Sequence, residues 1–260
     1  MKKSIILSLL FISIQYCFSQ NKQSKNGIKR ILLTEMTREL YSDGNYYTSL
    51  TETNETFYDK KGKKLKTVRI TYEKSKPKSK NTTTYHYNSN KKVDYSISFL
   101  DEDSVSFKTY YSYRDNLLVK RYFNYIKNQK ESKFEEVYNY NKNHKLISSN
   151  YVYYEKYIDS NLDDYITFFK LNEKYDKKER TIEMDYSESD SIYKHNRFIY
   201  KWKRNGVLSF NKEYDVNNKL ISKTHFNYLF NDRNHWTVKK AFKNKSLHKT
   251  SYREIEYYQL

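Results

Sequence analysis

The residues that could carry out chemistry are scattered along this chain. Six histidines occupy turn positions or polar positions in predicted strands, and no two stand at the spacing of metal ligands. We therefore predict no metal site and no cofactor. The histidines are His86, His144, His195, His225, His235 and His248.

Acidic pairs offer the second possible chemistry, because two carboxyl groups can hydrolyse a glycoside as acid and base. Asp101 with Asp103 and Glu188 with Asp190 have this composition. Both pairs fall in predicted exposed turns, where nothing raises a carboxyl pKa, so we interpret them as solubilising residues. The sequence also has no nucleophile elbow, phosphate-binding glycine loop or HExxH motif. We predict no catalytic residue and no enzymatic activity.

Aromatic residues are the third candidates, since the chain has 30 Tyr and 14 Phe among 260 residues. An aromatic side chain on a strand either packs in the core or stacks on a sugar ring or base. A large sheet needs most of these residues for packing. Trp202 and Trp236, beside predicted turns, are the candidate ligand-stacking residues.

The strong positive charge suggests partners. The formal charge is +18, and removal of Lys2 and Lys3 with an N-terminal segment leaves +16. Such a charge attracts acidic polysaccharide, anionic lipid or nucleic acid through salt-sensitive forces. AT-rich codons also explain abundant Lys, Asn, Tyr, Ile and Phe, so a selected basic surface and a neutral bias both stay open. We expect an acidic polysaccharide or another envelope protein as partner, and no nucleic acid.

The first 19 residues predict a secretory signal peptide. Lys2 and Lys3 precede an apolar run over 5–14, and Cys17 and Ser19 place small residues before a cleavage site. The run is too short to span a bilayer, so we expect an exported protein: periplasmic, outer-membrane-associated or extracellular. Lipidation of Cys17 is the alternative. Cleavage after Ser19 removes the only cysteine and with it any disulfide or thiol chemistry. Residues 20–260 have no linker and predict a single domain.

The elements that position these residues follow from a repeat. An aromatic residue, usually followed by Asn or Asp and then by a short turn and an apolar residue, recurs at intervals of 29, 26, 27, 35, 27 and 28 residues, the differences between successive positions. A period of this size indicates a repeated supersecondary unit. The anchors of these turns are Tyr58, Tyr87, Tyr113, Tyr140, Tyr175, Trp202 and Phe230, with a further copy at Tyr214 that we predict at the other end of the meander.

Between the turns, apolar and polar residues alternate, as in Val93, Tyr95, Ile97 and Phe99. Each period holds two strands and two turns, which predicts an all-β antiparallel up-and-down meander of roughly sixteen strands. A sheet of more than ~10 strands curls, so we expect a half-barrel, a sandwich or a closed barrel with its aromatic face inward. The anchor turns then share one end. Their lysines, such as Lys60 and Lys178, predict a basic rim there and a mixed rim at the other end.

Two stretches resemble the YD repeat of RHS-type proteins: 58–65, YDKKGKKL, and 214–220, YDVNNKL. The segments 230–240 and 253–258 resemble the C-terminal hairpins of secreted YD-repeat-like proteins of Gram-negative bacteria. Gly of the usual repeat is mostly Asn, Lys or His here, and the toxin-bearing extension of large RHS shells is missing. The resemblance implies a β-hairpin repeat scaffold at the cell envelope with no defined reaction.

These observations lead to one main prediction and two alternatives. The main prediction is an exported, non-catalytic scaffold or binding module of the cell envelope. The first alternative is a protein that binds acidic glycan or another polyanion. The second is an outer-membrane β-barrel, which charged strand residues disfavour because a lipid-facing charge costs ~2 to 4 kcal/mol at the midplane. These residues are Lys66, Arg69, Glu73, Lys120 and Arg121.

Overall fold

The structure is a computed structural model, and it describes residues 27–40, 45–100, 105–127, 130–157, 166–188 and 195–258. The predicted signal peptide and Cys17 lie outside these ranges, as do most of the acidic turns at the end opposite the anchors. The described residues form one continuous antiparallel sheet.

Sixteen strands follow one another around a closed barrel, each paired with its neighbours in sequence. The prediction of an all-β meander is confirmed, and of the three shapes considered the closed barrel is observed. The strands are β1 Ile28–Leu40, β2 Tyr46–Tyr58, β3 Lys64–Glu73, β4 Lys76–Tyr87, β5 Val93–Leu100, β6 Val105–Arg114, β7 Leu117–Lys127, β8 Lys130–Tyr140, β9 Leu146–Tyr157, β10 Ile166–Tyr175, β11 Thr181–Glu188, β12 His195–Trp202, β13 Leu208–Tyr214, β14 Leu220–Phe230, β15 Trp236–Lys243 and β16 Ser246–Tyr257.

Pairing of the first strand with the last closes the barrel. Leu33 lies opposite Arg253 and Glu35 opposite Ser251 in the β1–β16 ladder. Closure removes both sheet edges, which would otherwise present unpaired backbone groups to other chains.

The anchor turns share one construction. In the β2–β3 turn, the amide of Asp59 donates to the carbonyl of Lys63 (2.8 Å), and Asp59 Oδ1 accepts from the amides of Lys61 and Lys63 (2.9 and 2.7 Å). The fourth turn residue, Gly62, has a φ of 76°. Asn and Asp suit the first position because their side chains bond backbone amides farther along the turn. The amide of Gly62 also donates to the carbonyl of Asp59 (2.9 Å). The same two backbone hydrogen bonds recur in the turns that begin at Asn88, Asn141, Asp176, Lys203, Asp215 and Asn231.

The topology places the turns of Lys60 and Lys178 at the same end of the barrel, which we call the anchor end. The further copy at Tyr214 precedes the β13–β14 turn, which lies at the opposite end as predicted. The turn after Tyr113 differs from the other anchor turns, because β6 and β7 are joined by only two residues, Asp115 and Asn116, with φ of 47° and 67°. Positive φ at both positions is the geometry of a tight hairpin.

The interior has an apolar arc and a polar arc. The apolar arc, on β6–β13, buries a cluster of large side chains against one another: Phe123, Phe134, Tyr151, Tyr153, Leu171, Met184, Tyr186 and Tyr200. The polar arc, on β14–β16 and β1–β5, buries hydroxyl and charged groups: Glu35, Thr37, Glu52, Arg69, Ser79, Ser96, Ser98, Ser222, Ser251 and Arg253.

The expectation that the aromatic face points inward is wrong for β5. Ser96 and Ser98 are its buried residues, so Tyr95, Ile97 and Phe99 lie on the outward face. In β3, likewise, Arg69 is buried and the alternating Val68 and Ile70 face outward. Alternation in sequence identifies two faces, but the fold decides which one is inside, and here hydroxyl groups and ion pairs satisfy each other within the barrel.

Candidate functional site

The anchor end is held together by tyrosine hydroxyl groups that reach from one hairpin to the previous one. Tyr87 donates to the carbonyl of Lys64 (2.7 Å), Tyr113 to that of Val93 (3.0 Å) and Tyr140 to that of Leu118 (2.8 Å). Each acceptor lies at or near the start of the odd-numbered strand before it. Burial raises the pKa of these three phenols to about 12, so they stay protonated donors at neutral pH.

Trp202 and Tyr258 extend this pattern. The indole Nε1 of Trp202 donates to the carbonyl of Thr181 (2.7 Å), and the hydroxyl of Tyr258 donates to the carbonyl of Tyr58 (2.7 Å). We call these five inter-hairpin bonds the anchor struts. At four of the turns they explain why the preceding aromatic residue carries a hydrogen-bond donor: Tyr87, Tyr113, Tyr140 and Trp202.

Basic residues of one turn cover the aromatic ring of the next hairpin. Lys63 Nζ lies 4.7 Å from the ring centre of Tyr87, and Lys92 Nζ lies 5.0 Å from that of Tyr113. The guanidinium of Arg180 lies 5.7 Å from the ring of Trp202. Cation–π contacts of this kind contribute ~0.5 to 1 kcal/mol at exposed sites. Part of the basic rim therefore has a structural role.

A pocket of about 360 Å³ opens at the anchor end, between the hairpins of β6–β9 and the β10–β11 turn. Its size falls at the lower end of small-molecule sites, which often occupy the mouths of β-barrels. Its walls combine four tyrosines with leucines and a few polar groups: Tyr111, Tyr113, Tyr138, Tyr140, Leu117, Leu118, Leu146, Arg121, Asn116, His144 and Glu179.

Arg121 connects this pocket to the barrel interior. It is 8% exposed, and its Nε donates to Glu136, which is 1% exposed on the neighbouring strand. Charges this deeply buried persist only in pairs, because an unpaired ion inside a protein is strongly destabilising. The pocket thus ends at a neutralised ion pair.

A second buried carboxyl group lies close to the first. Tyr175 donates to Glu173 Oε2 (2.5 Å) and forms a 3.0 Å hydrogen bond with Ser149 Oγ. Burial raises the pKa of Glu173 to about 7, and the negative charge of Glu136 adds to this rise. Glu173 is therefore partly protonated at neutral pH.

The polar arc contains its own ion pairs. Lys249 Nζ contacts Glu35 (2.7 Å), and Ser251 Oγ donates to the same carboxylate (3.1 Å). Burial opposes ionisation of Glu35, but the charges of Lys249 and Lys239 and the two hydrogen bonds bring its pKa below the ordinary value. Glu52 pairs with Arg69 at 2.7 Å.

The two predicted ligand-stacking residues do not meet. Trp202 precedes the β12–β13 turn and Trp236 begins β15, and both are half-buried. Arg253 lies 5.1 Å and Lys239 5.7 Å from the Trp236 ring, and Tyr228 packs against the ring edge. Neither tryptophan lines the pocket, so ligand stacking by them stays a prediction.

The predicted anchors have different surroundings. Tyr58 is 3% exposed, Tyr175 is 7% exposed, and Phe230 is 39% exposed and lies at the rim. Of the histidines, His144 lines the pocket and His235 Nδ1 lies 2.6 Å from the Tyr257 hydroxyl. Within the described ranges, no three His, Cys, Asp or Glu side chains are grouped to hold a metal ion. The same ranges contain no helix with the length and apolar character that crossing a membrane requires.

Sequence reasoning missed Arg121, Glu136 and Glu173. The signal was present in the sequence, since a charged residue shares its strand face with apolar residues. Glu136, for example, lies on the same face of β8 as Phe134 and Tyr138. A charge on the inward phase of a strand is a candidate buried ion, and its partner follows only from the register between strands.

No protein-family model matches the chain, and no curated protein sequence matches it significantly. Among solved structures, the chain is similar to a porin-like protein from Bacteroides uniformis ATCC 8492, with a TM-score of 0.54 and 13% identity over 88% of this chain and 96% of that one. A porin-like protein from Bacteroides vulgatus ATCC 8482 aligns with a TM-score of 0.49 and 12% identity over 90% and 99% of the two chains. At these identities the likeness concerns the fold. The resemblance to YD-repeat proteins stays a prediction.

Proposed function

We propose that this chain is an exported, non-catalytic β-barrel of the cell envelope that binds a ligand at its anchor end. The closed barrel and its likeness to a porin-like protein support an envelope role. The predicted signal peptide agrees with export.

The pocket at the anchor end is the observation that carries the binding role. Inward side chains are buried on both arcs of the barrel, which argues against a wide water-filled channel. The pocket, in contrast, is open and offers tyrosine walls with Arg121, Asn116 and His144 as polar groups. Tyrosine rings can pack against a sugar ring, while the hydroxyls of Tyr113 and Tyr140 are already engaged in anchor struts. The basic turns around the pocket favour an acidic glycan.

The outward face supports a barrel surrounded by water. Lys66 and Lys120 lie on this face, and so do basic residues on many other strands: Lys80, Lys108, Lys170, Arg197, Lys212, Lys223 and Lys240. Each would cost ~2 to 4 kcal/mol at the midplane of a bilayer. These charges therefore argue against a continuous lipid-facing band, although exposed apolar residues such as Ile97, Ile221 and Leu229 also occur on the outer face.

An outer-membrane β-barrel is the second candidate. The even-numbered closed meander and the similarity to a porin-like protein favour it. Part of the argument against it from the sequence is wrong, because Arg69 and Arg121 are buried and inward-facing rather than lipid-facing. The remaining outward charges lead us to place the water-surrounded barrel first.

Charge substitutions at the pocket mouth test the binding role. We expect the mature protein to bind acidic oligosaccharides on a glycan array. Glu179→Gln should tighten that binding and Asn116→Asp should weaken it, whereas Asn234→Asp, at a turn outside the pocket with a similar φ of 57°, serves as the matched control. Equal affinities for all four proteins, measured by calorimetry, would contradict a ligand at this mouth.

Fractionation separates the two locations. A water-surrounded barrel is released by osmotic shock or salt, whereas a barrel embedded in lipid requires detergent. Retention of the native chain in the membrane fraction after both treatments would establish the second candidate, provided that mass spectrometry shows no lipid on Cys17.

A further inference from the structure

The outward face of β4–β7 is amphipathic. It combines aromatic and aliphatic side chains with lysines, and four of its apolar residues are well exposed: Ile97 37%, Phe99 43%, Tyr110 40% and Tyr122 39%. They lie on three adjacent strands, where Tyr110 pairs with both Tyr95 and Tyr122 across the ladders. An apolar surface of this kind on a protein marks an interaction site.

Among the residues that the structure describes, strands β4–β7 place no carboxyl group on this face. Strands β4, β6 and β7 contain no Asp or Glu, and the single acid of β5, Asp94, alternates with Tyr95 and so lies on the other face. On β8, at the border, Glu135 pairs with Lys120 (2.7 Å) and Glu131 accepts a hydrogen bond from Asn124 of β7 (2.7 Å). Outward acids occur on β11, with Glu183 and Asp185, whereas β14 and β15 also contain no Asp or Glu.

The lysines of this face lie over its rings. Lys108 Nζ is 3.7 Å from the ring centre of Tyr95 and 4.9 Å from that of Tyr110, and Lys120 Nζ is 5.4 Å from that of Tyr122. Tyrosine and lysine in this combination suit the headgroup region of a membrane, where rings sit at the polar boundary and lysine stems lie along apolar surface. The face is thus complementary to an apolar partner with negative charge.

We infer that the β4–β7 face attaches the barrel to the surface of an anionic membrane without spanning it. A hydrated polyanion would use the lysines but would leave Ile97 and Phe99 without a partner. The rings also stack on one another, His86 with Tyr95 at 4.4 Å and Tyr110 with Tyr122 at 5.4 Å, so their faces are not laid open for sugars. An anionic membrane surface offers charged headgroups to the lysines and an acyl boundary to the exposed apolar side chains. This inference does not depend on the pocket at the anchor end.

Vesicle co-sedimentation tests the inference. The mature chain should bind phosphatidylcholine vesicles that contain phosphatidylglycerol and not vesicles of phosphatidylcholine alone. Ile97→Ser with Phe99→Ser, and separately Lys108→Gln with Lys120→Gln, should each reduce binding about tenfold.

Matched variants on the opposite side serve as controls. Ile221→Ser with Leu229→Ser changes residues on β14 that are 46% and 62% exposed, and Lys212→Gln with Lys223→Gln removes an outward cross-strand pair. These proteins should bind vesicles as the native chain does, with unchanged thermal unfolding in all variants. Equal losses in the controls, or no binding to anionic vesicles, would overturn the inference. Loss in the lysine variant alone, with competition by dextran sulfate, would assign the face to a polyanion.

Discussion

The hydroxyl of Tyr258 donates to the backbone carbonyl of Tyr58 at 2.7 Å, which joins the end of the described chain to its first anchor across 200 residues. The bond belongs to the same set as those of Tyr87, Tyr113 and Tyr140, but it is made across the closure of the barrel. It thereby joins the two ends of the meander at the rim, as the β1–β16 ladder joins them along the barrel wall.

Removing this bond should weaken the closure. We expect Tyr258→Phe to lower the free energy of unfolding by about 0.5 to 1.5 kcal/mol, because the buried carbonyl of Tyr58 loses its side-chain donor. Urea denaturation measures the change. Tyr252→Phe, at an outward ring that is 44% exposed, is the control and should change stability little.

Glu173 should make stability depend on pH. Its pKa is raised to about 7 in the folded state from an ordinary value of 4.5, so the folded state binds the proton more tightly than the unfolded state. The stability that this group contributes is complete below about pH 4.5 and is lost as the pH rises toward 7.

Glu173→Gln should therefore gain stability over the native chain at pH 8 but not at pH 4, by roughly 1 to 3 kcal/mol. Unfolding curves at both values, with the exposed Glu254→Gln as the matched control, provide the test. A gain of equal size at both pH values would show that packing, and not the buried proton, is responsible.

The Arg121–Glu136 pair should be costly to break but not to replace. Arg121→Met leaves Glu136 buried without its guanidinium and should cost about 3 to 5 kcal/mol. Arg121→Met combined with Glu136→Leu should recover most of that loss, since no buried charge remains. A double-mutant cycle from urea titrations measures the coupling, and additive losses would contradict a direct pair.

Turn residues with positive φ should tolerate glycine well. Lys91 occupies, at a φ of 61°, the position that Gly62 occupies at 76° in the preceding anchor turn. We expect Lys91→Gly to raise stability by up to about 1 kcal/mol, because the left-handed conformation is strained for side chains but not for glycine. Gly62→Ala should have the opposite effect, and calorimetric melting temperatures decide between them.

The repeat in the sequence was sufficient to predict strand number, direction and the shared end of the anchor turns. Turns that begin with Asp or Asn, such as those of Asp59 and Asn88, can be recognised locally, because an Asx side chain bonds the backbone within four residues. Information this local can be read without the fold.

The direction in which each face points could not be predicted in the same way. Ser96 and Ser98 face inward and Ile97 faces outward because the pairing of β5 with β4 and β6 sets which face of the strand is inside. The same applies to the pocket, whose walls come from residues between Tyr111 and Glu179. Such a site depends on long-range pairing, for which a single sequence carries no direct signal.

The anchor struts link hairpins to one another without fixing how many hairpins the barrel contains. Each strut uses the carbonyl of another hairpin, and the carbonyl of the first anchor, Tyr58, accepts from Tyr258 just after the last strand. A hairpin added or lost in the middle would keep every local contact and change only the circumference. Insertion or deletion of one whole repeat in this chain should therefore give a wider or a narrower barrel that Tyr258 still closes.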